Sequence, residues 1–595
     1  MASTAAPADG AVLTNGTTTT DQMPQTNGTT NHVNGHGRVP SISGLALTEY
    51  SINPNSPTRS ASSAPLVPED YLLPNGHPDY VRLINTSRVY DVCERTPLTP
   101  AISLSRRLET NILLKREDMQ PVFSFQAARR LQQDGSSFAR AKLERITDSG
   151  CFDRQVVACS AGNHAQGVAY SARKLKIPAT IVMPEGTPAI KHANVSRLGG
   201  TVVLHGPDFD TAKAECQRLE QAHGLINIPP FDDPYVIAGQ GTIGSELLGQ
   251  TNLNKTEAIF CCVGGGGLIA GIGVYIRRMY PHVKIIGVEQ DDANAMAQSL
   301  EKGERVVLKD VGFFADGAAV KTVGEETFRI CQEVVDEIVQ VSKDETCAAI
   351  KDVFEDTRSI VEPAGALAVA GLKKWVAQNP SSNVNRSLVA ILSGANMNFD
   401  RLRFVGERAT LGEGKEALLS VRIPERPGAF AELVDAIMPH NVTEFSYRYS
   451  HDDVANVLMG ISLVAPVSER ATELQRLTER INTSNMTVTD LSGNELAKSH
   501  IRYLVGGRAT VADERVYMFT FPERPGALQK FLMTLRTDYN ISLFQYRNSG
   551  GDVGEIVAGI QCPEVHELEK FLKQIGYPYK DCTDDPVFKT FLRGE

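Results

Sequence analysis

The stretch 258–268, Ala-Ile-Phe-Cys-Cys-Val-Gly-Gly-Gly-Gly-Leu, is the part of the sequence that decides the fold. Its first six residues are apolar and predict a buried strand, and a helix is predicted from Leu268 to Tyr280. Consecutive glycines let backbone N–H groups approach a phosphate without interference from Cβ, and a helix N-terminus adds a favourable field. The pattern is neither the dinucleotide-binding GxGxxG nor a Walker loop. It indicates an anion site, with a ligand-free strand-to-helix turn as the alternative.

Two further polar loops follow apolar runs in the same way. Ser-Ala-Gly-Asn-His at 160–164 follows the run 155–159, and Ser-Gly-Ala-Asn at 393–396 follows the run 388–392. Each loop alone is equally compatible with a helix cap or a turn. Because ligands bind outside the carboxyl ends of parallel strands, the loops together predict a binding cleft, with Glu362 and its Pro-Ala-Gly-Ala as a fourth wall.

Residues 70–410 alternate apolar, β-branched runs with segments of helical period. Such alternation predicts an α/β core in which helices cover both faces of parallel sheet. The principal runs are 155–159, 179–183, 201–204, 258–263, 284–288 and 388–392.

The C-terminal part contains an internal repeat. Residues 423–430, Ile-Pro-Glu-Arg-Pro-Gly-Ala-Phe, return at 521–528 as Phe-Pro-Glu-Arg-Pro-Gly-Ala-Leu, an offset of 98. Each copy is predicted to run strand, Pro-Gly turn, amphipathic helix, strand and hairpin. A period of this length corresponds to one small domain per copy, because solenoid repeats are shorter.

Residues 1–66 differ in composition from the rest of the chain. They contain a run of four threonines at 17–20 and repeated Asn-Gly pairs. Such a segment has too little apolar surface to offset the entropy that it would lose on ordering. We therefore expect a disordered tail. Its only basic residues before position 60 are Arg38 and Arg59, a weak signal for mitochondrial import.

Composition excludes several classes of protein. Sixty Lys and Arg residues against seventy Asp and Glu give a net charge of −10, so no basic surplus is present to bind nucleic acid or coat an anionic membrane. No run approaches the roughly 20 apolar residues that span a bilayer. The ten cysteines form no CxxC pair, so we expect no metal site and no disulfide scaffold.

The three loops at 160–164, 264–267 and 393–396 together resemble the β-family, fold type II pyridoxal-phosphate enzymes. Leu-Leu-Lys-Arg-Glu-Asp at 113–118 and the two Pro-Glu-Arg-Pro-Gly modules narrow this to the biosynthetic threonine dehydratase family. The resemblance implies a two-subdomain catalytic core and two α+β, ACT-like regulatory modules. The implied boundaries are 67–410 for the core, 411–490 for module 1 and 511–590 for module 2.

The resemblance also assigns roles by position. It implies that pyridoxal 5'-phosphate meets Asn163 at its ring hydroxyl, Ser393 at its ring nitrogen and the glycine loop at its phosphate. The expected cofactor contacts are Asn163, Gly264, Gly265, Gly266, Gly267, Leu268 and Ser393. The expected contacts of the substrate carboxylate are Ser160, Ala161, Gly162 and His164, although a histidine here is more often structural. Arg448 and Arg547 are the expected effector contacts, with a solvated strand-end charge as the alternative for both.

The implied reaction converts L-threonine to 2-oxobutanoate and ammonia, the first step of isoleucine biosynthesis. Isoleucine and valine are the implied effectors, and a homotetramer is the implied assembly, with neither nucleic acid nor membrane as a partner. The resemblance suggests the mitochondrion, and the cytoplasm is the alternative. L-Serine dehydration or β-replacement is the alternative chemistry, although sister enzymes mostly lack two regulatory modules.

The sequence departs from the family at one position. The family reads Ser-Phe-Lys-x-Arg-Gly-Ala, in which the lysine bonds covalently to the cofactor, whereas this chain reads Ser-Phe-Gln-Ala-Ala-Arg-Arg at 124–130. An amide at Gln126 neither forms that bond nor accepts a proton near neutral pH. Three explanations are open: a misread exon boundary around 126–155, a catalytically inactive amino-acid-sensing homologue, or replacement of the amine by Lys142.

Overall fold

The structure is a computed structural model, and its described residues are 67–126, 155–383, 386–449, 453–504, 507–522, 527–535, 539–547, 553–563 and 565–593. The tail expected to be disordered, 1–66, and the segment 127–154 with Lys142 lie outside them. No described helix is long and apolar enough to cross a membrane. The same residues contain no cluster of three or more His, Cys, Asp or Glu that is able to hold a metal ion.

The core alternates strands and helices along the described chain, because apolar β-branched runs are followed by amphipathic segments. Its strands are β1 (Leu98–Pro100), β2 (Asn111–Arg116), β3 (Val156–Cys159), β4 (Ala179–Met183), β5 (Thr201–Leu204), β6 (Ile226–Asn227), β7 (Thr256–Cys262), β8 (Lys284–Gln290), β9 (Glu337–Val341) and β10 (Ser387–Leu392). Its helices are α1 (Tyr80–Asn85), α2 (Ile102–Leu108), α3 (Asn163–Leu175), α4 (Ala189–Arg197), α5 (Phe209–His223), α6 (Pro234–Gln250), α7 (Gly267–Met279), α8 (Ala295–Lys302), α9 (Glu325–Val334), α10 (Lys343–Thr357), α11 (Pro363–Gln378) and α12 (Arg401–Gly412).

Two parallel sheets form the core, as the sequence predicts. The larger has the strand order β1-β2-β10-β7-β8-β9, and the smaller has the order β5-β4-β3-β6. All neighbouring strands are parallel except β1 and β2, which are antiparallel at the edge of the larger sheet. This exception follows from their short connection through α2, since parallel neighbours need a longer crossover. β7 and β10 are buried along almost their whole length, as expected when helices cover both faces.

The C-terminal part consists of two βαββαβ modules. Their strands are β11 (Glu416–Pro424), β12 (Val442–Arg448), β13 (Val454–Ser462), β14 (Thr487–Asp490), β15 (Glu514–Pro522), β16 (Asn540–Arg547), β17 (Val553–Gln561) and β18 (Tyr579–Asp581). Their helices are α13 (Ala429–Ile437), α14 (Arg470–Thr483), α15 (Arg502–Leu504), α16 (Ala527–Leu535), α17 (Val565–Ile575) and α18 (Pro586–Phe591). The predicted strand, helix and paired strands are confirmed in both modules, and the turn is confirmed in module 1, whereas the turn at 523–526 lies outside the described residues. Each module adds a second long helix and an edge strand. The residue boundaries of core and modules given above stay predictions.

The two modules share one antiparallel sheet of eight strands, in the order β14-β11-β13-β12-β16-β17-β15-β18. They meet where β12 pairs with β16 around Ser446 and Gln545, whose side chains are hydrogen-bonded at 3.1 Å. Equivalent strands of the repeat thus pair with each other. The inner faces of both modules contribute to one apolar core that includes Phe445, Phe519 and Phe544.

The start of α10 carries a reciprocal cap. Ser342 Oγ accepts from the backbone N–H of Glu345 at 3.2 Å, and the Glu345 carboxylate accepts from the Ser342 N–H at 2.7 Å. We expect Ser342→Ala to destabilise the first turn by about 1 kcal/mol, because the Glu345 N–H loses its side-chain acceptor while the Ser342 N–H keeps the Glu345 carboxylate. Hydrogen exchange at the first turn of α10 should accelerate, while a substitution of the exposed Ser468 should leave it unchanged. An unaltered rate in Ser342→Ala would contradict the cap.

Candidate active site

Three strand ends meet in the cleft between the two parallel sheets. β3 ends at Cys159 in the smaller sheet, and β7 and β10 end at Cys262 and Leu392 as neighbours in the larger sheet. The loop after β3 is tied to the loop after β10, since Asn396 Nδ2 donates to Asn163 Oδ1 at 2.8 Å. The three loops that the sequence singles out therefore border one cleft.

The tetraglycine loop leads from β7 into α7, and Gly266 caps the helix with φ +95°. Gly265, Gly266 and Gly267 are buried, and no acceptor within the described residues binds the N–H groups from Gly264 to Leu268. Buried backbone donors without acceptors are costly, and they are concentrated here at the positive end of a 13-residue helix. The loop therefore fits a phosphate group, whose oxygens supply the missing acceptors.

The loop is held in place by residues that the sequence analysis did not identify. The carbonyl oxygen of Gly265 accepts from Thr327 Oγ1 at 2.6 Å and from the Gly324 N–H at 3.2 Å. A Cβ at Gly265 would lie 2.2 Å from the ring of Phe231, so any other residue here would force the ring or the loop to move. The one sequence signal for Phe231 is its place before the N-cap Asp233 of a long helix, which is too common to indicate a site.

Ser393 lies directly after β10 and is 2% exposed. Its Oγ lies 3.3 Å from the Cys262 thiol and donates to the carbonyl of Ala364 at 3.3 Å. Burial raises the pKa of Cys262 to about 11, so the thiol is neutral at physiological pH. Both of these contacts are to neutral groups, and the hydroxyl is able to rotate from the Ala364 carbonyl and donate to a ring nitrogen.

Asn163 begins α3 and is at the centre of a side-chain network. Its Nδ2 donates to Glu362 Oε1 at 2.6 Å, and its Oδ1 accepts from Asn396, which also donates to the Val122 carbonyl at 2.8 Å. Glu362 is 5% exposed, and burial raises its pKa to about 7, with the Asn163 hydrogen bond opposing the shift. Glu362, which the sequence analysis expects on the cleft wall, therefore contacts the side-chain amide of Asn163 directly.

The residues expected to meet the substrate carboxylate form the edge of the cleft beside Asn163. Ser160 Oγ accepts from the Gly162 N–H at 3.2 Å, and Gly162 is exposed with open space around it. His164 is buried, and its Nε2 lies 2.8 Å from the carbonyl of Ile228 after β6. That contact ties α3 to the smaller sheet, the structural use that a lone histidine most often has.

Gln126 is the last described residue before the segment 127–154. Its N–H donates to Ser124 Oγ at 3.3 Å, and the Phe125 N–H donates to the carbonyl of Ser393 at 3.1 Å. Residue 126 is therefore anchored beside the Ser393 loop. The family resemblance puts the covalent cofactor bond at this position, and the amide of Gln126 is unreactive.

Arg448 is 6% exposed and lies at the junction of the two modules. Its guanidinium forms an ion pair with Glu514 and donates to the carbonyls of Ala509 and Leu592 at 3.1 and 2.9 Å. Arg547 pairs with Glu444 through its backbone, and its side chain lies outside the described part of the structure. Their role as effector contacts stays a prediction.

Comparison with known families agrees with this geometry. Residues 89–394 match the family model of pyridoxal-phosphate dependent enzymes. Residues 407–501 and 505–592 match the model of the C-terminal regulatory domain of threonine dehydratase. These matches define the class as a pyridoxal-phosphate-dependent enzyme with a regulatory domain.

Individual relatives narrow the class. The mitochondrial threonine dehydratase of Schizosaccharomyces pombe is 53% identical over 92% of this chain and 89% of its own length. The Saccharomyces cerevisiae enzyme of the same name is 51% identical over 94% and 97%. The solved structure of the processed form of threonine deaminase isoform 2 from Solanum lycopersicum has a TM-score of 0.52 at 46% identity, covering 56% of this chain and 88% of that chain. The chain belongs to the biosynthetic threonine dehydratases, which confirms the family, fold class and cofactor inferred from the sequence.

Proposed function

We propose that the cleft binds pyridoxal phosphate with its phosphate at the tetraglycine loop, its ring hydroxyl at Asn163 and its ring nitrogen at Ser393. The observation that carries the proposal is the row of N–H groups from Gly264 to Leu268, which have no acceptor within the described residues and are buried from Gly265 onward. Ser393 adds no charge at the ring nitrogen, so nothing there forces the ring to stay protonated. A weaker electron sink favours prompt loss of the β-hydroxyl over a long-lived carbanion.

The reaction is the dehydration and deamination of L-threonine to 2-oxobutanoate and ammonia in isoleucine biosynthesis. Bound pyridoxal phosphate supplies the electron sink for negative charge that develops at the substrate's α-carbon. Ser160, Ala161 and Gly162 bind the substrate carboxylate at the start of α3, where the helix dipole favours an anion. His164 supports this loop through its contact with Ile228.

The residue at position 126 determines whether a chain of this sequence catalyses the reaction. The test incubates the purified chain with pyridoxal phosphate and L-threonine, measures 2-oxobutanoate, and then reduces the mixture with borohydride for peptide mapping. Product together with one cofactor-modified lysine would support catalysis by this sequence. Cofactor binding without product or modified lysine would restrict catalysis to a chain with lysine at position 126. L-Serine in parallel tests the alternative chemistry.

A second candidate function is an amino-acid-sensing homologue without catalysis, and Gln126 is the observation that favours it. Its distinguishing result is binding of isoleucine or valine by a chain that forms no product from threonine or serine. Absence of binding by both amino acids would exclude this candidate.

We further propose that the effector binds in an open groove between α13 of module 1 and α16 of module 2. The half-exposed Arg426 guanidinium pairs with Glu432 at 2.7 Å and has further N–H groups to offer the carboxylate. Asn540 offers an Oδ1 that is buried and accepts from no described donor. Asn540 Nδ2 is held by Glu425 and Gln561 at 3.1 and 2.8 Å, so the amide orientation is fixed. The remaining lining suits an aliphatic side chain and comprises Pro427, Gly428, Phe430, Ala431, Leu532, Leu535, Tyr539 and Ile541.

We expect Arg426→Ala to weaken isoleucine binding about tenfold, because the effector carboxylate loses its charged hydrogen-bond donor. Arg422→Ala is the matched control, since Arg422 is an exposed arginine of the neighbouring strand β11 outside the groove. Calorimetric titration of the full chain with isoleucine and with valine measures both variants. Equal affinities for Arg426→Ala and the unmodified chain would place the effector elsewhere, and Arg448 would be the next candidate.

The assembly that we propose is a homotetramer, which light scattering of the full chain would test against a dimer or monomer. We also propose that the protein acts in the mitochondrion, because the two fungal relatives described above carry that name. Imaging of a C-terminally tagged chain distinguishes this compartment from the cytoplasm.

A further inference from the structure

Glu362 is a buried carboxyl group for which the reaction described above has no use. It precedes the first residue of α11, and its own N–H donates to the carbonyl of Gly394 at 3.1 Å. A Cβ at Gly394 would lie 2.3 Å from Glu362 Oε1, so the carboxyl is in close contact with the loop after β10. Backbone and side chain are therefore both fixed between α11 and the Ser393 loop.

The Asn163 amide has its orientation set by this carboxyl. An amide offers two N–H donors and one carbonyl oxygen. One N–H binds Glu362, and the oxygen accepts from Asn396, whose own amide is oriented by the Val122 carbonyl. The second N–H of Asn163 binds no acceptor within the described residues. If the Asn163 amide rotated by half a turn, its NH2 group would face the NH2 donor of Asn396, and its carbonyl oxygen would face the carboxyl group of Glu362. The hydrogen-bond network therefore excludes that orientation.

We propose that Glu362 is a positioning residue, which holds the Asn163 amide so that its second N–H is presented to the ring hydroxyl of the cofactor. The inference rests on the cofactor role proposed above for Asn163. It assigns to Glu362 no contact with substrate and no proton transfer. Its predicted effect is on cofactor affinity, which is measurable whether or not the chain turns over.

The test measures the dissociation constant of pyridoxal phosphate for the full chain by equilibrium dialysis. We expect Glu362→Ala and Asn163→Ala each to weaken binding about tenfold, and the double variant to bind no more weakly than either single variant. Glu362→Gln should retain most of the affinity, because its amide oxygen accepts the same N–H. Glu355→Ala removes an exposed carboxylate of α10 and should change nothing. Thermal unfolding of each variant checks that the fold is intact.

A pH series adds a readout that packing alone would not change. Glu362 faces Asp316, Lys191 and Arg401, with Cys262 also close, and Lys191 and Arg401 both pair with Asp316. An anionic cofactor disfavours the ionised carboxylate, so binding raises the pKa of Glu362 and takes up protons. Cofactor affinity should therefore fall as pH rises above about 7, where the free carboxyl ionises. Glu362→Gln should remove this contribution, and the titrations of the cofactor's own phosphate and ring nitrogen remain alike in both chains.

The outcomes distinguish the positioning role of Glu362 from the cofactor site on which it rests. Additive losses in the double variant, or an equal loss in Glu362→Gln and Glu362→Ala, would overturn the positioning role while the cofactor site stands. Failure of the unmodified chain to bind pyridoxal phosphate would overturn the proposed site and this inference with it. Three results together would support both: coupled losses, rescue by glutamine, and a fall in affinity above pH 7 that is larger with glutamate than with glutamine at position 362.

Discussion

Replacing Gln126 with lysine is expected to raise the rate of 2-oxobutanoate formation from L-threonine on the order of 10³-fold. The backbone at 126 is fixed through Phe125, whose N–H binds the carbonyl of Ser393, so a lysine here would extend from a segment beside the proposed cofactor site. A partly neutral amine bonds the cofactor covalently and accepts the α-proton, and an amide does neither. Initial rates measure the gain, and borohydride reduction with peptide mapping should locate the cofactor on residue 126.

Gln126→Arg is the matched control for this gain. It adds the same charge and a similar length, but a guanidinium stays protonated and forms no covalent bond with the cofactor. A comparable gain with arginine would show that charge, not an amine, limits the chain. Sequencing the transcript across codons 120–160 gives an independent answer. Ser-Phe-Lys-x-Arg-Gly-Ala in the transcript would make the segment after 126 an artefact, and a confirmed Gln126 would favour the sensing homologue.

Gly265→Ala is expected to weaken binding of pyridoxal phosphate about a hundredfold or more. The added Cβ would lie 2.2 Å from the Phe231 ring, so ring or loop must move, and the loop is fixed through Thr327 and Gly324. A displaced loop misaligns at least two N–H groups from the phosphate oxygens, each a charge-assisted bond of about 1.5–3 kcal/mol. Equilibrium dialysis with the cofactor measures the loss.

The control for this substitution is Gly249→Ala. Gly249 lies in the last turn of α6, is exposed and has open space where Cβ would be built. Alanine is the better helix former, so fold and cofactor affinity should be retained or slightly improved. An unchanged cofactor affinity in Gly265→Ala, with the fold intact, would argue that the phosphate binds outside the tetraglycine loop.

The parts of the fold that depend on local pattern could be predicted from the sequence. The apolar run before the tetraglycine forms β7, and the run before Ser393 forms β10, because long apolar β-branched segments suit buried parallel strands. The cleft followed from the same reasoning, since the carboxyl ends of parallel strands lie at one edge.

Contacts between distant segments could not be predicted. No periodicity indicates that Phe231 packs against Gly265, or that Thr327 binds its carbonyl, because these residues meet only after the chain has folded. Arg448 illustrates the same limit. An arginine at a strand end has the same sequence signature whether it binds an effector or, as here, a buried glutamate from another module.

The pairing of β12 with β16 makes each module the partner that closes the other's sheet. Ser446 and Gln545 lie at the centre of a pairing between equivalent strands, the arrangement found where two identical subunits meet about a twofold axis. Separating the modules would expose the backbone N–H and C=O groups of two central strands as open edges, which recruit other strands and promote aggregation. A truncated chain that ends after module 1 would therefore need a second copy of itself to remain soluble.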